Sequence, residues 1–169
     1  NILFHIGVLG IFFGHVVGLL TPVAVWDAIG ISHTHKQVFA MAAGGVMGLM
    51  CLVGLLILIH RRLSDPRIRH NSRTSDFLVL AWLLITLLLG LSTIWVSSGH
   101  LDGHMMVQLM QWAQHVVTLR GLQAASFIVD APFLFKAHIF MGMTLFVIFP
   151  FTRLVHIWSG FASVTYVSR

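Results

Sequence analysis

The chain has 169 residues, of which 57% are hydrophobic and only 9% charged, with a mean hydropathy of +0.92. A soluble domain carries about 25% charged residues, so this sequence cannot cover a water-facing surface and reads as an integral membrane protein. The formal charge of +5 does not signal a nucleic-acid partner, because five of the ten basic residues lie between Arg61 and Arg73, as in a loop at a membrane surface.

The sequence opens at Asn1, without a methionine and inside an apolar stretch, so a fragment with upstream helices missing is expected. Residues 1–20 lack the basic n-region and small-residue cleavage site of a signal peptide, and two histidines interrupt them. The first apolar run, Ile2–Leu20, is stopped by Thr21-Pro22. Residues 21–36 read as a short loop holding Trp26, Asp27 and Lys36. The second run, Val38–Ile59, carries Gly44, Gly45, Gly48 and Gly54, small residues that permit close helix or cofactor approach. The single Cys51 lies in this run, so no internal disulfide can form. A second loop, Arg61 to Ser75, contains five arginines, and a third run spans Phe77–Val96. The connection from Ser97 to Asp130 is long and mixed. Its middle, His104 to Val117, predicts a surface helix with Met105, Met106, Leu109, Trp112 and Val116 on one face. The last run is Ala131–Ile157.

Each run meets the requirement of about 20 residues for about 30 Å of hydrocarbon. The runs are continuous rather than alternating, which predicts helices, and the fold class is an all-α membrane bundle with four transmembrane helices. The first loop has one lysine and the third one arginine. The arginine-rich 61–75 loop is therefore placed in the cytoplasm and its neighbours outside. Arg153 and Arg169 agree with that orientation.

Eleven histidines are many for so apolar a chain. Four of them, His5, His15, His138 and His156, fall inside the predicted spans, where an ionisable residue is costly and usually has a partner or a function. His5 and His15 are separated by a rise of about 15 Å and about 80° of rotation. His138 and His156 lie about 27 Å apart on one face. The first and last spans run antiparallel, so His5 and His156 fall toward the cytoplasm, and His15 and His138 toward the outside. Each level then offers two imidazoles from different helices, as a six-coordinate haem b requires. The two rises differ, and different tilts, inclined haem planes or a kink at Pro150 would absorb the difference. Hydrogen bonding between helices is the rival for any one such histidine. Zinc or copper fits less well, since no cysteine or carboxylate accompanies these histidines at depth.

The segments FHIGVLGIFFGH (Phe4–His15), LLTP (Leu19–Pro22), KQVFAMAAGGVMG (Lys36–Gly48) and HIFMGMTLFVIFPFTRLVHIW (His138–Trp158) resemble the gamma subunit of respiratory nitrate reductase. The resemblance runs through nearly the whole chain. It implies a dihaem cytochrome b domain over 1–169 in a bacterial or archaeal inner membrane, lacking the first of the family's five helices and part of a C-terminal tail. It also implies two haem b groups, the proximal one held by His5 and His156 and the distal one by His15 and His138. A menaquinol or ubiquinol site would lie beside the distal haem, at Lys36, Gly14 and His15. Electrons would pass to an iron–sulfur beta subunit and on to a molybdenum alpha subunit that reduces nitrate. An ammonium at Lys36 suits a quinone carbonyl and developing negative charge. Position alone favours a lysine that snorkels to the interface, and the resemblance reverses that preference. Arg61 and Arg62 close the second run as a topology signal, and the resemblance implies that one of them, Arg62 by match, pairs with a proximal haem propionate, since guanidinium binds carboxylates in a fork.

Two rivals stay open from the sequence. One is the cytochrome b subunit of another quinone-linked respiratory complex. The other is a haem-free transporter or scaffold with histidine proton relays.

Overall fold

The computed structural model describes residues 1–152. The predicted ligand His156 and the terminal arginines Arg153 and Arg169 lie outside the described residues. The elements are α1 (Ile2–Leu20), α2 (Val23–Ala28), α3 (His33–Ser64), α4 (Pro66–His70), α5 (Thr74–Ser98), α6 (His104–Val117), α7 (Gly121–Phe127) and α8 (Phe133–Ile148). A 3-10 turn, Phe149–Phe151, follows α8. No strand occurs among the described residues, and four helical segments are long and apolar enough to cross a membrane.

The four long helices pack in series: α1 along α3, α3 along α5, and α5 along α8. Glycines set the closest approaches. A Cβ on Gly7 would stand 2.5 Å from the Cys51 amide nitrogen, and one on Gly54 would overlap the Phe4 backbone. On α3, Gly48 makes the same kind of room for Leu91 of α5, whose Cδ2 would lie 2.6 Å from an added Cβ. Lipid tails are as apolar as the side chains, so helix association in a membrane depends on such close packing. The outer faces are unscreened, with Phe12, Phe13, Leu78, Phe140 and Phe146 all exposed. Hydrocarbon accepts that surface, and the helical backbones satisfy their own polar groups.

The connections hold more helix than the sequence predicts. Residues 21–36 are not a plain loop, since they contain α2 and the first turn of α3, whose N-terminal Ser32 hydroxyl accepts from the His35 amide at 3.2 Å. The arginine-rich connection is also helical in part. Asp65 caps α4 by accepting from the Arg67 amide at 2.9 Å, with Pro66 at the first helical position. The predicted helix at 104–117 has the same bounds in the structure, but its buried residues are Met110 and Ala113, and it packs against α1 and α3 as well as α7. The predicted face of Met105, Met106, Leu109, Trp112 and Val116 is only half-buried. The last predicted span is interrupted, because α8 gives way to the 3-10 turn around Pro150. The predicted rise from His138 to His156 ends outside the described residues.

Candidate functional site

His15 is five residues from the C-terminal end of α1, and His138 is in the second turn of α8. The two helices share at most marginal backbone contact, yet their imidazoles reach toward one another, with ring centroids 6.1 Å apart and planes inclined by 42°. Both rings are held by Nδ1. That of His15 lies 2.8 Å from the Ile11 carbonyl of its own helix. That of His138 lies 3.0 Å from the Thr86 carbonyl of α5. Carbonyls only accept, so each Nδ1 carries a proton, and in the neutral ring Nε2 keeps the lone pair.

This arrangement fits a metal held between two axial imidazoles. Two metal–nitrogen bonds of about 2 Å each, with about 1 Å from each ligating nitrogen to its ring centre, put such rings about 6 Å apart. Ligating histidines commonly donate their second N–H to a backbone carbonyl, as both do here. Among the described residues no third histidine, cysteine or carboxylate completes a metal cluster. A two-imidazole donor set suits an iron whose other four positions belong to a macrocycle. Gly14, next to His15, has nothing within 4 Å of where a Cβ would stand.

Lys36 is at the same end of the bundle. It is buried within the protein, at 5% exposure, rather than extended into solvent. Its Nζ donates to the Gly18 carbonyl at 2.9 Å, one turn beyond His15, and to the Met110 thioether at 2.7 Å. It also stands 4.5 Å from the centre of the Trp26 ring, a cation–π distance. The Trp26 indole nitrogen is buried and has no hydrogen-bond partner among the described residues.

Next to Lys36, buried Gln37 ties α3 to the connection after α5. Its amide donates to Ser97 O at 3.3 Å and His100 O at 2.8 Å, and accepts from Gly103 N–H at 2.9 Å. Gly103 has φ +77°, and a side chain there would meet His33. Gln114 of α6 donates to the carbonyls of Leu19 and Thr21, which the end of α1 leaves without helical donors. This end of the bundle is thus closed by two glutamines. The sequence reading singled out neither of them.

With this geometry in view, the comparisons are decisive. The sequence profile of the nitrate reductase gamma subunit matches residues 1–169. The chain belongs to the nitrate reductase gamma subunit family. It is 47% identical over 167 residues to the respiratory nitrate reductase 1 gamma chain of Escherichia coli (strain K12), covering 99% of this chain and 72% of that one. It is 47% identical over 158 residues to the respiratory nitrate reductase 2 gamma chain of the same organism, covering 94% and 69%. The nitrate reductase gamma chain of Bacillus subtilis (strain 168) is 38% identical over 157 residues, covering 93% and 70%.

The other predicted site residues of this gamma-family chain divide between the two ends. His5 is described, with Nδ1 2.8 Å from the Asn1 carbonyl, while its predicted partner His156 lies outside the described residues. Arg62 is engaged at the arginine-rich end, where its Nη1 is 3.2 Å from Oδ2 of buried Asp76. Asp76 also accepts from the Arg73 amide at the start of α5. Asp76 was missed from sequence, although an acidic residue in a helix's first turn is a common partner for terminal amides.

Proposed function

We propose that this chain is the dihaem cytochrome b subunit of a respiratory nitrate reductase, oxidising menaquinol or ubiquinol near the outer membrane face. Its electrons would go to an iron–sulfur beta subunit and a molybdenum alpha subunit, where nitrate is reduced. The observation that carries the reading is the His15–His138 pair, 6.1 Å centre to centre, with each Nδ1 hydrogen-bonded to a backbone carbonyl. Family membership favours nitrate reductase over other quinone-linked complexes.

On this reading His15 and His138 hold the distal haem b, and His5 and His156 the proximal one. When bound, the haem irons supply one-electron redox chemistry across the membrane. The protein's own part begins at Lys36. Its buried ammonium donates to a quinol oxygen and favours the negative charge that develops as that oxygen loses its proton. The Met110 sulfur now in contact with Nζ is a weak acceptor, so a quinol oxygen displaces it at little cost. The Gly18 carbonyl keeps Nζ aimed while this exchange occurs. Gly14 leaves the approach to His15 open. Lipid and the exposed apolar faces keep water from the pair, which strengthens these interactions. One arm of Arg62 is on Asp76, and a guanidinium has five donors, so a propionate contact uses the remaining ones.

The test is a reduced-minus-oxidised spectrum with haem quantification on the purified complex. Two low-spin b haems per gamma-family chain are expected. His15→Ala should halve that content and stop reduction by quinol. Two low-spin haems retained in His15→Ala would refute the ligand assignment. No b-type absorption in the unmutated protein would leave the haem-free reading.

A further inference from the structure

Helix α5 meets His138 at two positions one turn apart. The Thr86 carbonyl is 3.0 Å from His138 Nδ1. At Gly90 there is no side chain. A Cβ there would stand 2.8 Å from His138 Cε1, 3.3 Å from Nδ1 and 3.4 Å from Nε2. Residues four apart share a helix face, so one turn of α5 supplies both the acceptor for the ring and the space in which it lies.

The surroundings hold this turn in register. Thr86 is buried, and its hydroxyl donates to Trp82 O at 2.7 Å. Trp82 in turn donates its indole N–H to Met141 O of α8 at 3.0 Å, three residues beyond His138. Thus α5 fixes both the height of α8 and the ring it carries.

We propose that the Thr86–Gly90 turn of α5 is the seat of His138, which sets the tautomer and ring plane of this ligand and so tunes the outer haem. The inference rests on the reading that His138 ligates that haem. Donation from Nδ1 to a carbonyl leaves Nε2 for iron and makes the imidazole a stronger donor, which favours the ferric state. Gly90 is a positioning residue: any side chain at this position pushes the ring off the α5 backbone. An alanine methyl at 2.8 Å must recede to at least about 3.4 Å, the lower edge of ordinary carbon contacts. That shift also stretches the bond to Thr86 O and turns the ring from its 42° inclination to His15.

The experiment compares Gly90→Ala with the unmutated complex, and with Gly45→Ala, whose added Cβ meets only Ile94 Cδ1 at 3.8 Å. Haem per protein, the two midpoint potentials and the low-spin ferric EPR signals are read. Gly90→Ala should raise the outer midpoint and move its EPR signal, or lose the outer haem, with the inner signal intact as the sign of a folded chain. Gly45→Ala should leave all three unchanged. Full haem content with an unshifted or lowered outer midpoint and an unmoved EPR signal overturns the seat. If Gly90→Ala does not accumulate, Trp82→Phe/Gly90→Ala is compared with Trp82→Phe, since loss of the Met141 tie lets α8 step back, and the same shift is required. His138→Ala separates the two levels. Haem lost there, with Gly90→Ala silent, sinks the seat alone; haem retained there sinks the ligand reading and the seat together.

Discussion

Replacing Gly54 by alanine should separate α1 from α3, and the structure sets the scale. The new Cβ would overlap the Phe4 amide nitrogen and lie 2.6 Å from its Cα and 2.8 Å from its Cβ. These are backbone or backbone-proximal atoms, so no rotamer change relieves the clash and α1 itself must retreat by about 1 Å to reach ordinary contact near 3.5 Å. Forcing an extra methyl into a packed interface costs about 1–3 kcal/mol, against which alanine's better helix propensity returns at most about 1 kcal/mol. Gly45→Ala is the matched control on the same helix. It gains the propensity and meets only a side-chain methyl at 3.8 Å. Thermal unfolding of the purified complex in detergent, followed by tryptophan fluorescence, should show a lower midpoint for Gly54→Ala and an equal or higher one for Gly45→Ala. Equal midpoints for the two variants would refute the claim that backbone proximity at Gly54 holds α1 in place.

Two further outcomes follow from the end of the bundle that carries Lys36. Lys36→Ala should keep full haem content while slowing haem reduction by quinol analogues at least tenfold, equivalent to about 1.4 kcal/mol of lost interaction; stopped-flow absorbance checks this, and unchanged rates would make Lys36 a packing residue. Gln37→Leu removes three hydrogen bonds and strands the buried Gly103 N–H, at about 1–3 kcal/mol; limited proteolysis should show faster cleavage within 97–103 than in the unmutated protein.

The spans were legible because lipid demands length and apolarity, and both are read directly from composition. The bounds of α6 were equally legible, since Gly103 and Thr118 flank a clear helical period. The juxtaposition of His15 and His138 followed from topology alone: two antiparallel helices with histidines toward the same end. What was hidden depends on long-range neighbours. Nothing near Lys36 in the sequence announces Met110, 74 residues away, so its burial looked like exposure at an interface. The Thr86 contribution is a carbonyl, which every residue possesses. Gly90 gave a weak sign, a lone glycine within an apolar helix, and such a glycine often marks close approach. The 27 Å rise assumed helix through Pro150, where the chain changes to a 3-10 turn, and its far end, His156, lies outside the described residues.

The helix α6, held down by Gln114 on the end of α1 and flanked by the Gln37 tie, covers the end of the bundle that carries Lys36. On the proposed function, a reductant bound for Lys36 would come in sideways, from the lipid between the helices. A molecule with a long isoprenoid tail suits that route, because its ring can tip inward while the tail stays dissolved among the acyl chains. On that reading water-soluble reductants of similar potential meet a closed door, and the electron donor is selected by solubility before any hydrogen bond is made.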